Sequence, residues 1–179
     1  TVTNYCYVKS DSIDIIVWPI PLLGLPAVDS ICIGDSYQFN AQNAVTYQWN
    51  ADPTLSSITI SNPVATPVVT TKYIVTGVNQ NGCVNKDSTL LFVYQPSTID
   101  IYPVDTPFIC LGTSAPLRAV GSYSYVWSPA ASLNNANIAN PVATPSDTTQ
   151  YNVVATNIHG CKSYDSLIAG LARKSQQLG

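Results

Sequence analysis

The sequence contains no glutamate and no methionine, a single histidine, and only seven basic and ten acidic side chains, every acid an aspartate. Without Glu and Met, and with few Lys, the residues that favour helices are scarce. Val, Ile, Thr, Tyr, Ser and Asn take their place, punctuated by 13 prolines, and this composition predicts an all-β protein. There is no run of Lys or Arg to neutralise a phosphate backbone or hold an anionic membrane, and the formal net charge is −3; nucleic acid is therefore not an expected partner. No apolar stretch approaches the ~20 residues needed to span a bilayer, so direct membrane insertion is not expected either. The opening Thr1-Val2-Thr3-Asn4 is neither a signal peptide nor an initiation site, and the chain reads as a piece of something longer. What is present is apolar bulk: 46% of the 179 residues are hydrophobic, ample for one or two cores and too much for disorder.

The chain repeats itself. Cys32 precedes Cys83, and Cys110 precedes Cys161, by the same 51 residues, and the two pairs are offset by 78. Aligned without a gap, the two 52-residue stretches share 21 identities. Among them are Gly34/Gly112, Tyr47/Tyr125, Trp49/Trp127, Tyr73/Tyr151, Gly82/Gly160 and the run Asn-Pro-Val-Ala-Thr-Pro at 62–67 and 140–145. Duplication on this scale implies one fold built twice. Residues 1–21 fit the same pattern: Cys6, Asp11-Ser12 and the apolar run 13–18 match Cys83, Asp87-Ser88 and 89–94. The predicted organisation is thus the closing strands of an incomplete repeat over 1–21, a repeat over 22–97, and a second repeat with a polar tail over 98–179. Pro19, Pro21 and Pro96 at the connections predict stiff joints.

Within a repeat, short alternating runs at 37–41, 45–49, 57–60, 72–77 and 88–94, separated by Gly, Pro, Asn and Asp, predict a β-sandwich. Tyr47 with Trp49, and Tyr73 with Val75, share faces that should pack between the sheets. Thr-Thr-Lys-Tyr at 70–73 resembles the tyrosine corner of immunoglobulin-like folds, although Val75 and Val153 stand where an antibody domain would carry its second core cysteine. Equal spacing predicts disulfides Cys32–Cys83 and Cys110–Cys161, each closing a loop worth roughly 4 kcal/mol, with Cys6 unpaired. Such bridges point to an oxidising compartment.

Cys-x-Gly-x-Ser, Tyr-x-Trp, Asn-Pro-Val-Ala-Thr-Pro, Thr-Thr-x-Tyr and Gly-Cys followed by Asp-Ser, in this order twice over, resemble the PKD-like and Ig-like repeats of very large Bacteroidota surface proteins associated with gliding motility and type IX secretion. The resemblance implies tandem immunoglobulin-like (PKD-like) sandwiches in an extracellular, non-catalytic stalk, adhesin or filament. Its expected partners are neighbouring repeats of the same protein or filament, together with a glycan or surface ligand. Asp-Ser/Thr followed by an apolar residue also resembles the O-glycosylation signal of that group. This nominates Ser12, Ser88 and Ser166, with Ser30 and Thr148 weaker. The competing explanation is that Asp and Ser merely open the last strand.

Other chemistry finds little support. His159 is the only histidine and its counterpart is Asn81, an ordinary turn residue, so no nucleophile–base pair recurs and no catalytic residue, cofactor or enzyme activity is expected. Asp14, Asp29, Asp100 and Asp105 lie near module junctions, where calcium sometimes binds, but their density is low and no metal site is assigned. Tyr123, beside a Gly-Ser loop, could stack on a sugar ring, which keeps open a carbohydrate-binding accessory module of a secreted hydrolase as the alternative function. The apolar residues Ile99, Ile101, Tyr102 and Phe108, with Pro96 and Pro103, are expected to form a buried joint between the two repeats.

Overall fold

The computed structural model describes residues 11–104 and 108–172; Cys6 and Asp105 lie outside them. The chain is all-β, a tandem of immunoglobulin-like sandwiches. The first module contains β1 (Val28–Cys32), β2 (Tyr37–Gln38), β3 (Thr46–Trp49), β4 (Val64–Ala65), β5 (Thr71–Val78) and β6 (Val84–Tyr94). The second contains β7 (Asp100–Tyr102), β8 (Phe108–Cys110), β9 (Ala115–Pro116), β10 (Arg118–Val120), β11 (Ser124–Ser128), β12 (Val142–Ala143), β13 (Thr149–Thr156) and β14 (Lys162–Ala172).

The main sheets have the same order, β1-β6-β5-β3 and β8-β14-β13-β11. In each, the long last strand pairs antiparallel with its hairpin partner and parallel with the first strand. The repeated Asn-Pro-Val-Ala-Thr-Pro run supplies the opposing layer. Val64 and Ala65 pair with β2, and Val142 and Ala143 with β9. Pro cannot donate to a ladder, but its carbonyl still accepts: Phe39 N–H donates to Pro63 O, and Leu117 N–H to Pro141 O.

The hairpin turns show why two further residues recur. Asn79 Oδ1 accepts the N–H groups of Asn81 and Cys83, and Asn157 Oδ1 those of His159 and Cys161, all at 2.9–3.0 Å. Gly82 and Gly160 follow at φ +78° and +83°, a region most side chains avoid.

Each module has its own core. In the first, Phe39 lies between Trp49 and Tyr73, with ring centroids 4.8 and 5.0 Å away, backed by Leu23, Ala65, Val75 and Leu91. In the second, Trp127, Tyr151, Val153, Leu117 and Ala143 repeat the arrangement, with Leu167 and Ala169 from β14. Both indoles donate inward, Trp49 Nε1 to Ile60 O at 2.8 Å and Trp127 Nε1 to Ile138 O at 3.0 Å. The buried tyrosines meet side-chain hydroxyls, Tyr73 with Thr54 and Tyr151 with Ser132, each at 2.6 Å. The tyrosine-corner likeness thus holds for position, while the partner is a hydroxyl from the preceding loop.

Several expectations change. Residues 57–60 form no strand; they bend so that Ile58 O and Ile60 O receive the backbone and indole N–H of Trp49. The run 13–18 is not a strand either, and Ile13, Ile15, Ile16 and Val17 are 71–86% exposed. Hydrophobic alternation makes a strand only where a ladder partner exists. Strands β1 and β8 were not anticipated, because they take their register from β6 and β14. Ile99 and Ile101 pack against the second module's own core, Tyr102 and Phe108 are 41% and 77% exposed, and the joint is built from other residues.

Candidate functional site

The parallel pairing of β1 with β6 places Cys32 opposite Tyr94, the last residue of β6. Cys83 immediately precedes the first residue of that strand. Eleven residues at ~3.3 Å each separate Cys83 from Tyr94 by ~35 Å, far beyond the ~7 Å between Cα atoms that a disulfide tolerates. The expected Cys32–Cys83 bridge is therefore excluded by the strand itself. The same geometry excludes Cys110–Cys161, since Cys110 pairs with Ala172 at the far end of β14. The structure instead joins Cys32 to Cys161, 129 residues apart, with Cα atoms 5.5 Å apart. Cys83 and Cys110 are free, the first half-buried and the second exposed. A 78-residue period is satisfied equally by links over 51 and over 129 residues, so spacing by itself could not choose between them.

This disulfide is the centre of the joint. The turn before β14 abuts the closing end of β6: Cys161 Sγ lies 3.7 Å from Tyr94 O, and Asn157 Nδ2 donates to Gln95 O at 2.9 Å. Ser163 Oγ donates to Ser97 O. His159 stacks on Tyr94, with centroids 3.6 Å apart and rings 6° from parallel. His159, read from sequence as an ordinary turn residue, thus has a structural partner across the joint. Only the tertiary arrangement reveals it, since Tyr94 and His159 are far apart in the chain.

The same contacts recur upstream. Asn79 Nδ2 donates to Pro19 O at 2.9 Å, and Cys83 Sγ lies 3.7 Å from Trp18 O. Trp18-Pro19 therefore sits against the first module's turn as Tyr94-Gln95 sits against the second's.

Of the nominated hydroxyl residues, Ser12, Ser30, Ser166 and Thr148 are exposed and Ser88 is half-buried. Ser88 and Ser166 lie in mid-strand, opposite Ile74 and Asn152, and do not open their strands. In four of these pairs the preceding aspartate accepts the N–H of the Ser or Thr through Oδ1, at 2.7–2.8 Å. Asp29 also accepts the Tyr37 hydroxyl at 2.7 Å. Burial, followed by that carboxylate, pushes the Tyr37 phenol up to about 12. Asp14 and Asp100 are exposed, and among the described residues no three His, Cys, Asp or Glu side chains converge on one point.

Tyr123 is 77% exposed and lines a cleft with Gly121 and Ile158. Tyr102 and Tyr164 line two other clefts, so these rings form no common platform. No helix among the described residues is long and apolar enough to cross a membrane.

No family model matches the chain, and no curated protein matches it. Solved structures similar to it include an I-band fragment of titin (15% identity, 87% of this chain and 66% of that chain, TM-score 0.44). Others are the insect immune protein hemolin (16%, 86% and 47%, 0.39) and the N-terminal four Ig domains of Dscam1 isoform 6.9 (13%, 82% and 44%, 0.34). The chain spans less than half of the Dscam1 fragment. Likeness of this degree concerns architecture and says nothing about function.

Proposed function

We propose that this chain is part of a non-catalytic stalk or filament on a cell surface, of the PKD-like and Ig-like kind carried by large Bacteroidota surface proteins. Its units would be the repeats over 22–97 and 98–179, with 1–21 closing a preceding one. The observation that carries the reading is the Cys32–Cys161 bond, which ties one module to the next and leaves each module's interior without a disulfide. A bridge so placed does little for an isolated domain but restrains the angle between two of them. It also calls for an oxidising, extracellular setting. Neighbouring modules are the partners this reading assigns, with a glycan or surface ligand bound elsewhere on the parent protein. O-glycosylation at Ser12, Ser30, Thr148 and Ser166 is compatible with their exposure, and least so at Ser88.

The test is small-angle scattering on the oxidised full chain and on a Cys32→Ser/Cys161→Ser variant. The reading expects an elongated particle with a narrow distance distribution that broadens when the bond is lost. Equal breadth in both would overturn it. The alternative, a carbohydrate-binding accessory module, rests on Tyr123 and would require glycan binding that Tyr123→Ala abolishes.

A further inference from the structure

Cys83 and Cys110 are the repeat counterparts of the two bonded cysteines: Cys83 stands 78 residues before Cys161, and Cys110 stands 78 after Cys32. We propose that each free thiol is one half of a further inter-module disulfide. Cys110 would receive the Gly-Cys turn of a following module of this repeat, and Cys83 the first-strand cysteine of a preceding one. Linked modules would then form a continuous chain of head-to-tail covalent staples. The inference deepens the stalk reading and rests on it.

Three observations beyond the thiols themselves point to this partner. Upstream, Trp18 and Pro19 already make the contacts with Cys83 and Asn79 that Tyr94 and Gln95 make with Cys161 and Asn157. In the internal joint the bonded cysteine arrives on the strand beside Tyr94, since Cys32 is its ladder partner. A strand laid beside Trp18 in the same register would deliver its cysteine to Cys83. Downstream, Cys110 pairs with Ala172 in the register in which Cys32 pairs with Tyr94. Beside it lies an open cleft of ≈ 840 Å³ lined by Leu111, Thr148 and Leu171. Leu111 is 68% exposed, whereas its counterpart at the occupied joint, Ile33, is 37% exposed. The cleft therefore has the position of the surface that the second module's turn covers on the first.

The chemistry balances with a small disulfide oxidant such as oxidised glutathione. Cys110 and the incoming cysteine lose two protons and two electrons, one S–S bond forms between them, and the oxidant's S–S bond breaks to leave two thiols.

The test rebuilds the missing joint. In an extended chain, residues 1–172 are followed directly by a second copy of residues 95–172 carrying Ile158→Val, which marks the added Cys161 peptide by mass, so that Cys110 precedes the added copy of Cys161 by 129 residues, as Cys32 precedes Cys161. The chain is oxidised in a glutathione buffer, alkylated and mapped by non-reducing peptide mass spectrometry, with the original 179-residue chain as control. The expected result is a Cys110 bond to the added copy of Cys161 together with Cys32–Cys161, whereas Cys110 of the control is fully alkylated. A fully alkylated Cys110 beside an intact Cys32–Cys161 bond would overturn the staple series and leave the stalk reading standing. Loss of Cys32–Cys161 in the control would bring down the stalk reading itself. In the monomeric fraction, where the bond can only lie within one chain, a Cys110–Cys83 bond would overturn the assignment of partners. A Cys110→Ser version should fold and retain Cys32–Cys161 while leaving the added Cys161 alkylatable; a new bond from that cysteine to Cys83 would count against the proposed specificity.

Discussion

Replacing Cys32 and Cys161 by serine should do more than lower stability; it should uncouple the two modules. When the first module unfolds alone, its chain from Cys32 to Gln95 stays pinned at both ends to a folded neighbour, through the disulfide and through the Asn157–Gln95 contact. A pinned loop of roughly 63 residues opposes unfolding by about 4 kcal/mol in the chain-entropy model. The second module, unfolding alone, is pinned between Gln95 and Cys161 and resisted to about the same degree. When both unfold, the loop is the whole 129-residue span, whose closure is worth about 5 kcal/mol. Once either module has opened, the other is therefore held by less than about 1 kcal/mol more, because loop entropy grows only with the logarithm of length. The oxidised protein should unfold in one merged transition. The serine variant should show two, each lowered by roughly 10–20 °C, since the ~5 kcal/mol is shared between two domains of this size. Scanning calorimetry counts the transitions, and hydrogen exchange on peptides from β5–β6 and β13–β14 assigns them. Coincident transitions at unchanged temperature in the serine variant, or in the reduced wild type, would refute the coupling.

Thr89 is buried in the first core with its hydroxyl unpartnered, at the place where the second module has Leu167. Thr89→Val should stabilise by about 1 kcal/mol in urea unfolding, and a loss of stability would show that the hydroxyl has a partner. A Cβ on Gly77 would collide with Leu23 Cδ2 and crowd Ala44; Gly77→Ala should cost about 1–3 kcal/mol, with Leu23→Val recovering part of it. The Tyr37 phenol, raised from 10.0 to about 12, favours the folded state while protonated. That contribution is complete below pH 10 and is lost as the pH climbs towards 12. Burial raises the Tyr73 phenol as well, so ultraviolet titration should find more than one late-ionising tyrosine, of which the Tyr37 component alone moves to lower pH in Asp29→Asn.

The sequence by itself determined the fold class, the duplication and the aromatic centre of each core. Composition and β-branched alternation sufficed for the sheets, and strand alternation repeated in both halves placed Trp49, Tyr73 and Val75 between the sheets, where they are buried, because burial is a local demand that each copy must meet separately. It also located both Gly-Cys turns, whose geometry is set by residues four apart. Three things were decided only in the tertiary structure. Strands β1 and β8 exist because β6 and β14 offer them an edge, which no local pattern encodes. The run 13–18 has the alternation of a strand, yet it stays unpaired among the described residues. The disulfide pairing depends on which pole of a module each cysteine occupies. That follows from parallel pairing along an 11-residue strand, and a repeat period is blind to it: shifting one partner by a whole module leaves every spacing rule satisfied and turns a bond within a domain into a bond between domains.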